Sequence, residues 1–188
     1  MYRILIFTTC LIIAISASGQ TKKERKKNKI KSTTDWEIVY ENEKANTYKS
    51  AYEEFDRNGH STMKIEYGSD GGVLTKVTAK YDSYQNKIEE TEFDASKKKN
   101  IRKTYKYNAF KDKTEESEYN SSGALLKKTS FSYNTDGYKV SEIVMDASGT
   151  VLKKTTYNYN PKKLKSGKQT LSNSNTPESG KKWEYEYY

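Results

Sequence analysis

Aromatic or large apolar residues followed by Asn or Asp recur along this chain in alternating steps of 12 and 14 residues, a period of 26: Tyr107-Asn108, Tyr119-Asn120, Tyr133-Asn134, Met145-Asp146 and Tyr159-Asn160. The same ruler runs backwards through Phe93-Asp94, Tyr81-Asp82, Tyr67-Gly68 and Phe55-Asp56. Self-similarity at a fixed period of this size means that one small supersecondary unit is copied along the polypeptide, each copy packing on its neighbours.

The turns define the unit. In Tyr133-Asn134-Thr135-Asp136-Gly137-Tyr138, Asn at the first corner, Asp at the third and Gly at the fourth fit a type I turn followed by a left-handed residue, a three-residue hairpin loop. Gly59, Gly71, Gly123 and Gly149 hold the equivalent place. Gln85, Lys97, Lys111 and Lys163 stand there without being glycine. A side chain in that conformation costs roughly 1–2 kcal/mol, so those turns are expected to differ. Between turns lie strand-length segments rich in Thr, Tyr, Val and Ile, such as Leu126 to Tyr133 and Lys139 to Met145. No segment sustains the three-and-four spacing of a buried helix face. The expectation is an all-β fold: an antiparallel β-meander of about eleven or twelve short strands built from 26-residue double-hairpin repeats, a thin, twisted or curled sheet. Trp36 to Tyr40 is expected to open it and Lys182 to Tyr187 to close it. With 33% hydrophobic residues and a mean hydropathy of −1.05 the chain lacks a thick core, but 17 tyrosines suit a thin sheet that water reaches.

Simple hairpin alternation sets an expected register. Tyr133 faces Lys139, Phe131 faces Ser141, Thr129 faces Ile143, Met145 faces Val151 and Lys139 faces Tyr157. Glu142 opposes Lys154, and the repeat gives Glu116 with Lys128 and Glu90 with Arg102. All odd residues from 127 to 159 then share one face. That face gathers Tyr81, Lys87, Tyr105, Tyr107, Lys113, Phe131, Tyr133, Lys139, Tyr157 and Tyr159 into a row of alternating aromatic and lysine side chains, continued by Lys165.

Residues 1–19 have the charged start, short apolar run and small-residue end of a signal peptide, so the chain is expected to be exported, to the periplasm, the cell surface or the medium of a bacterium. Cleavage removes Cys10, the only cysteine, leaving no thiol and no disulfide, and leaves no transmembrane span. Of the net charge of +9, seven bases against Glu24 place six units between Lys22 and Lys31. The body, residues 32–188, is nearly balanced, which speaks against nucleic acid as a partner. Residues 20–31 are expected to form a basic flexible segment, either a solvated linker or a contact to anionic surfaces. Residues 32–188 form a single β-repeat domain.

The signature of an aromatic residue and Asp or Asn, two residues, then Gly, from Phe55-Asp56-Arg57-Asn58-Gly59 to Met145-Asp146-Ala147-Ser148-Gly149, resembles the YD repeats of the RHS family over roughly residues 50–165. The resemblance implies a secreted or surface β-repeat protein, sometimes carbohydrate-binding. Encapsulation of a toxin domain is not implied, because only another strand follows the array.

Catalysis has little to work with, and no enzyme, cofactor or metal site is expected. His60 is the single histidine and is expected to be a solvated turn residue; no nucleophile has a His and acid beside it. Glu115, Glu116 and Glu118 recur opposite bases, as surface pairs do. The aromatic-lysine row is the candidate binding face, for acidic or neutral glycans. Its alternative is purely structural, lysines lying over tyrosine rings to hold a thin sheet together. A further alternative is docking of an envelope protein on the aromatic face or an edge strand.

Overall fold

The computed structural model describes residues 21–41, 44–186 and 188; the expected signal peptide lies outside them. One short helix, α1 (Lys22–Lys27), precedes twelve strands: β1 (Ser32–Glu41), β2 (Lys44–Phe55), β3 (Ser61–Tyr67), β4 (Val73–Tyr81), β5 (Lys87–Asp94), β6 (Lys99–Tyr107), β7 (Lys113–Tyr119), β8 (Leu125–Tyr133), β9 (Lys139–Asp146), β10 (Val151–Tyr159), β11 (Lys165–Ser172) and β12 (Pro177–Lys182). They form one open antiparallel sheet in strict chain order, the expected meander. Within the basic segment, α1 is opened by a Thr21–Glu24 capping box, and Arg25 lies over the Phe55 ring at 4.3 Å and donates to the Gly59 carbonyl at 3.0 Å.

The repeated Asx residue explains the turns. Asn134 receives amide N–H groups of Asp136 and Tyr138 on its side-chain oxygen, at 3.1 and 2.9 Å, while its own N–H donates to the Tyr138 carbonyl and its carbonyl accepts from Gly137. Asp56, Asn108, Asn120 and Asp146 grip their turns in the same way. Gly137 has φ of +81°, but Gln85, Lys111 and Lys163, expected to depart from the pattern, take the same left-handed conformation at 70°, 68° and 63°. The Asx grip carries the cost. Of the four turns without glycine at this place, the β5–β6 connection differs, with Lys98 left-handed in place of Lys97 and the buried Asp94 carboxylate holding Ser96 and Lys97.

The register departs from simple alternation for one reason. Tyr133 pairs with Lys139 as expected, but Ser132 pairs with Ser141, so Val140 is an extra residue, a second bulge beyond the turn. The same slip follows Tyr81, Tyr107 and Tyr159, and Leu152 is extra opposite the Met145–Val151 end of the next hairpin. Consequently Phe131 pairs with Glu142, Thr129 with Val144, Lys154 with Ile143, Lys128 with Ser117 and Arg102 with Thr91, not the partners that alternation assigns. Odd residues of β8 and β10 share a face with Lys139, Glu142 and Val144 of β9. The expected parity over 127–159 therefore fails within each bulged strand and is restored in the next. Glu116 and Lys128 end on opposite faces. The recurrent acid–base partners lie one residue earlier: Glu115 meets Lys106 at 2.9 Å and Lys128 at 2.7 Å, and Glu89 meets Lys80 at 2.7 Å and Arg102 at 3.5 Å.

At the ends, Trp36 to Tyr40 does lie in the opening edge strand, but the closing strand stops at Lys182, where it was expected to begin. His60 is buried, its ring stacked on Tyr81 at 4.5 Å and its Nδ1 at 3.0 Å from Asp56, not solvated. Among the described residues only Phe55 and Ile101 are buried hydrophobics. A single layer has no inside, so each strand is held by its two neighbours.

The tyrosine that closes each hairpin supplies a sheet bond of its own, with Tyr133 Oη donating to the Lys113 carbonyl at 2.8 Å. Tyr133→Phe is expected to lower unfolding free energy by about 1 kcal/mol with no change in far-ultraviolet circular dichroism, measured by urea titration.

Candidate functional site

The bulges build the candidate face. Because each absorbs one residue, a lysine at the start of a bulged strand and the residue three positions later point to the same side, which a regular strand forbids. Lys87 meets Glu90 and Lys113 meets Glu116 at 2.6 Å, and Lys139 meets Glu142 at 3.0 Å. Lys113 and Lys139 also lie between rings of the neighbouring strands. Lys113 sits 5.2 Å from the centre of Tyr105 and 4.8 Å from that of Phe131, and Lys139 sits 5.1 Å from Phe131 and 4.8 Å from Tyr157.

A second ladder runs beside the first. Tyr107, Tyr133, Tyr159 and Tyr185 donate their hydroxyls to the carbonyls of Lys87, Lys113, Lys139 and Lys165 at 2.7, 2.8, 2.8 and 2.7 Å, each partner 20 residues back. Tyr81 does the same to Ser61 at 3.0 Å. The acceptor each time is the first residue of a bulged strand.

All ten sequence-predicted residues, Tyr81, Lys87, Tyr105, Tyr107, Lys113, Phe131, Tyr133, Lys139, Tyr157 and Tyr159, are half-buried, and the pairings and contacts above put them in one row. Their half-burial has electrostatic consequences. Burial pushes the Tyr105 hydroxyl above its ordinary range, and the flanking Glu90 and Glu116 carboxylates push the same way. For Glu142, burial favours the neutral acid but the Lys139 ammonium and Tyr157 hydroxyl outweigh it, so its carboxyl titrates below the usual range; Lys139, likewise against burial, is held above its own by Glu142.

Two elements were not found from the sequence. The Lys-x-x-Glu pairs recur every 26 residues, at 87/90, 113/116 and 139/142, a signal present in the chain but hidden by assuming regular strands. Phe110, in the turn between β6 and β7, is 85% exposed and lines an open groove of about 680 Å³ with Phe131, Tyr133, Asn108, Asp112 and Asp136. An aromatic at that turn position has no counterpart in the repeat except Tyr84, which is also exposed and has Lys111 at 6.0 Å from its ring.

No protein-family model matches the chain, and no curated protein matches it. Among solved structures it is similar to a TcdB2–TccC3 protein crystallised without its hypervariable C-terminal region, with a TM-score of 0.44, 13% identity, and coverage of 82% of this chain but 10% of that one. It is similar to a porin-like protein from Bacteroides uniformis, with a TM-score of 0.42, 16% identity, and coverage of 73% of this chain and 54% of that one. A protein of unknown function from Bacteroides fragilis matches over 84% of this chain and 96% of its own length, with a TM-score of 0.22 and 13% identity. The chain thus spans about a tenth and about half of the first two. At these TM-scores the likeness carries no function from those proteins to this one.

The Lys139–Glu142 pair gives a pH signature. A carboxyl whose folded pKa is depressed contributes stability above its unfolded value, lost as the pH falls through the folded one. The melting temperature is expected to fall as the pH drops below about 4, and the gap between wild type and Glu142→Gln to close over the same interval. Parallel curves would remove the pair from the stability of the sheet.

Proposed function

We propose that this chain is an exported, non-enzymatic β-repeat scaffold that takes carbohydrate on its tyrosine face. The observation that carries the reading is Phe110. The aromatic residues of the row are half-buried, whereas this ring stands exposed at the mouth of a groove whose other walls are Phe131, Tyr133 and the polar side chains of Asn108, Asp112 and Asp136. An apolar ring face beside amide and carboxylate groups suits a sugar, which offers C–H groups on one side and hydroxyls around its rim. Glu90, Glu116 and Glu142 are each engaged by a lysine, which favours a binding role for the face over acid catalysis.

Phe110→Ala is expected to weaken retention on the polysaccharides that hold the wild-type chain by about tenfold, a loss near 1.4 kcal/mol, with an unchanged melting temperature. Retention on a glycan array that does not respond to the substitution would refute the groove.

A second reading has its own observation. In the edge strand β1, Trp36 is 62%, Ile38 56% and Tyr40 73% exposed, and these alternate residues share one side of a strand that has no neighbour beyond it among the described residues. Such an edge is a template for a strand of another envelope protein. Under that reading Ile38→Lys abolishes a stoichiometric complex with the protein while glycan retention is untouched, as co-purification of wild type and variant would show.

A further inference from the structure

The last copy of the repeat breaks its own rule. Where the three preceding units place Glu90, Glu116 and Glu142 three residues after the bulge lysine, this one has Lys168 after Lys165. The bulge is intact: Tyr159 pairs with Lys165 and Asn158 with Gly167, leaving Ser166 extra. Lys165 and Lys168 therefore share a face in the geometry that elsewhere brings ammonium and carboxylate into contact. Lys168 is moreover the direct cross-strand partner of Lys181 on β12. Like charges placed opposite each other in a ladder destabilise it, so the Lys168–Lys181 pair works against the sheet.

Nearby carboxylates form their short contacts with other groups. Glu142 is within electrostatic reach of Lys168 but is held by Lys139 at 3.0 Å and by the Tyr157 hydroxyl at 3.2 Å. Glu178 is held by Lys153 at 3.0 Å and Glu184 by Lys182 at 2.7 Å. Among the described residues Lys165, Lys168 and Lys181 make no ion pair, and all three are exposed. Aromatic walls flank them: Lys165 lies 5.3 Å from the centre of Tyr157 and Lys181 5.4 Å from that of Trp183.

We infer that Lys165, Lys168 and Lys181, walled by Tyr157 and Trp183, form a subsite for the carboxylate of an acidic sugar residue. The inference rests on the carbohydrate reading and gives it a charge preference. An anion between the three ammonium groups removes their mutual repulsion, and the two rings offer faces for the sugar that bears it. Lys165 and Lys168 on β11 lie three strands from Tyr133 on β8, roughly 14 Å at ordinary strand spacing, so one short oligosaccharide along the face can span from the Tyr133 wall of the Phe110 groove to these lysines.

The test is Lys168→Glu, which restores the Lys-x-x-Glu unit of the other repeats and therefore holds or raises the melting temperature. Trigalacturonate and neutral maltotriose are titrated into wild type and variant by isothermal calorimetry. Wild type is expected to bind trigalacturonate at least tenfold more tightly than maltotriose, and the variant to lose that preference. Equal trigalacturonate binding by wild type and variant overturns the subsite. If wild type holds both sugars with the same affinity, the subsite fails while the carbohydrate reading stands; if it holds neither, and no polysaccharide on the array, both fall.

Discussion

A sheet with no second layer cannot rely on a core, and every other feature of this protein follows from that constraint. Two buried hydrophobic side chains among the described residues leave almost no interior to stabilise the fold through burial. What remains is the contact between one strand and the next. Cross-strand pairs contribute roughly 0.2–1 kcal/mol each, which is little singly but accumulates when the same pair is copied along the chain. Repetition is therefore the means of stability, as in other arrays whose units touch only their neighbours.

The second bulge is where the unit concentrates these contacts. It turns a lysine and a glutamate three positions apart onto one face, centres the ammonium between two rings, and offers a carbonyl to the tyrosine of the following hairpin. One backbone irregularity thus organises an ion pair, two cation–π contacts and a hydrogen bond. The tyrosine face is well satisfied in the middle of the array for the same reason, since its lysines and hydroxyls already have partners.

Chemistry that the repeat does not consume appears where the repeat is interrupted. Phe110 stands at a turn whose equivalents in the other units carry small or polar residues, Tyr84 apart, and Lys168 stands where a glutamate belongs. Trp36, Ile38 and Tyr40 lie in the first strand, before the ruler begins. In a protein made of near-identical units, departures from the unit are the informative residues, because the unit's own residues are accounted for by stability.

The sequence by itself determined the order of the strands along the array, the position of its hairpin turns and the residues of the aromatic-lysine row. These depend on local matters: an Asx oxygen reaching two amides of its own turn, and a period that returns each tyrosine to the same place. Only the tertiary structure decided which side chains meet. Whether Val140 or Leu152 is squeezed out of a ladder is settled between two strands, by how turn and neighbour fit together, and no residue type announces it. One such slip reverses the face of the residues beyond it within its own strand, which is why Glu142 pairs with Phe131 and not with Lys154 although Tyr133 and Lys139 pair as alternation assigns. The burial of His60 and the docking of Arg25 on Phe55 are likewise contacts between distant segments, invisible to any local pattern.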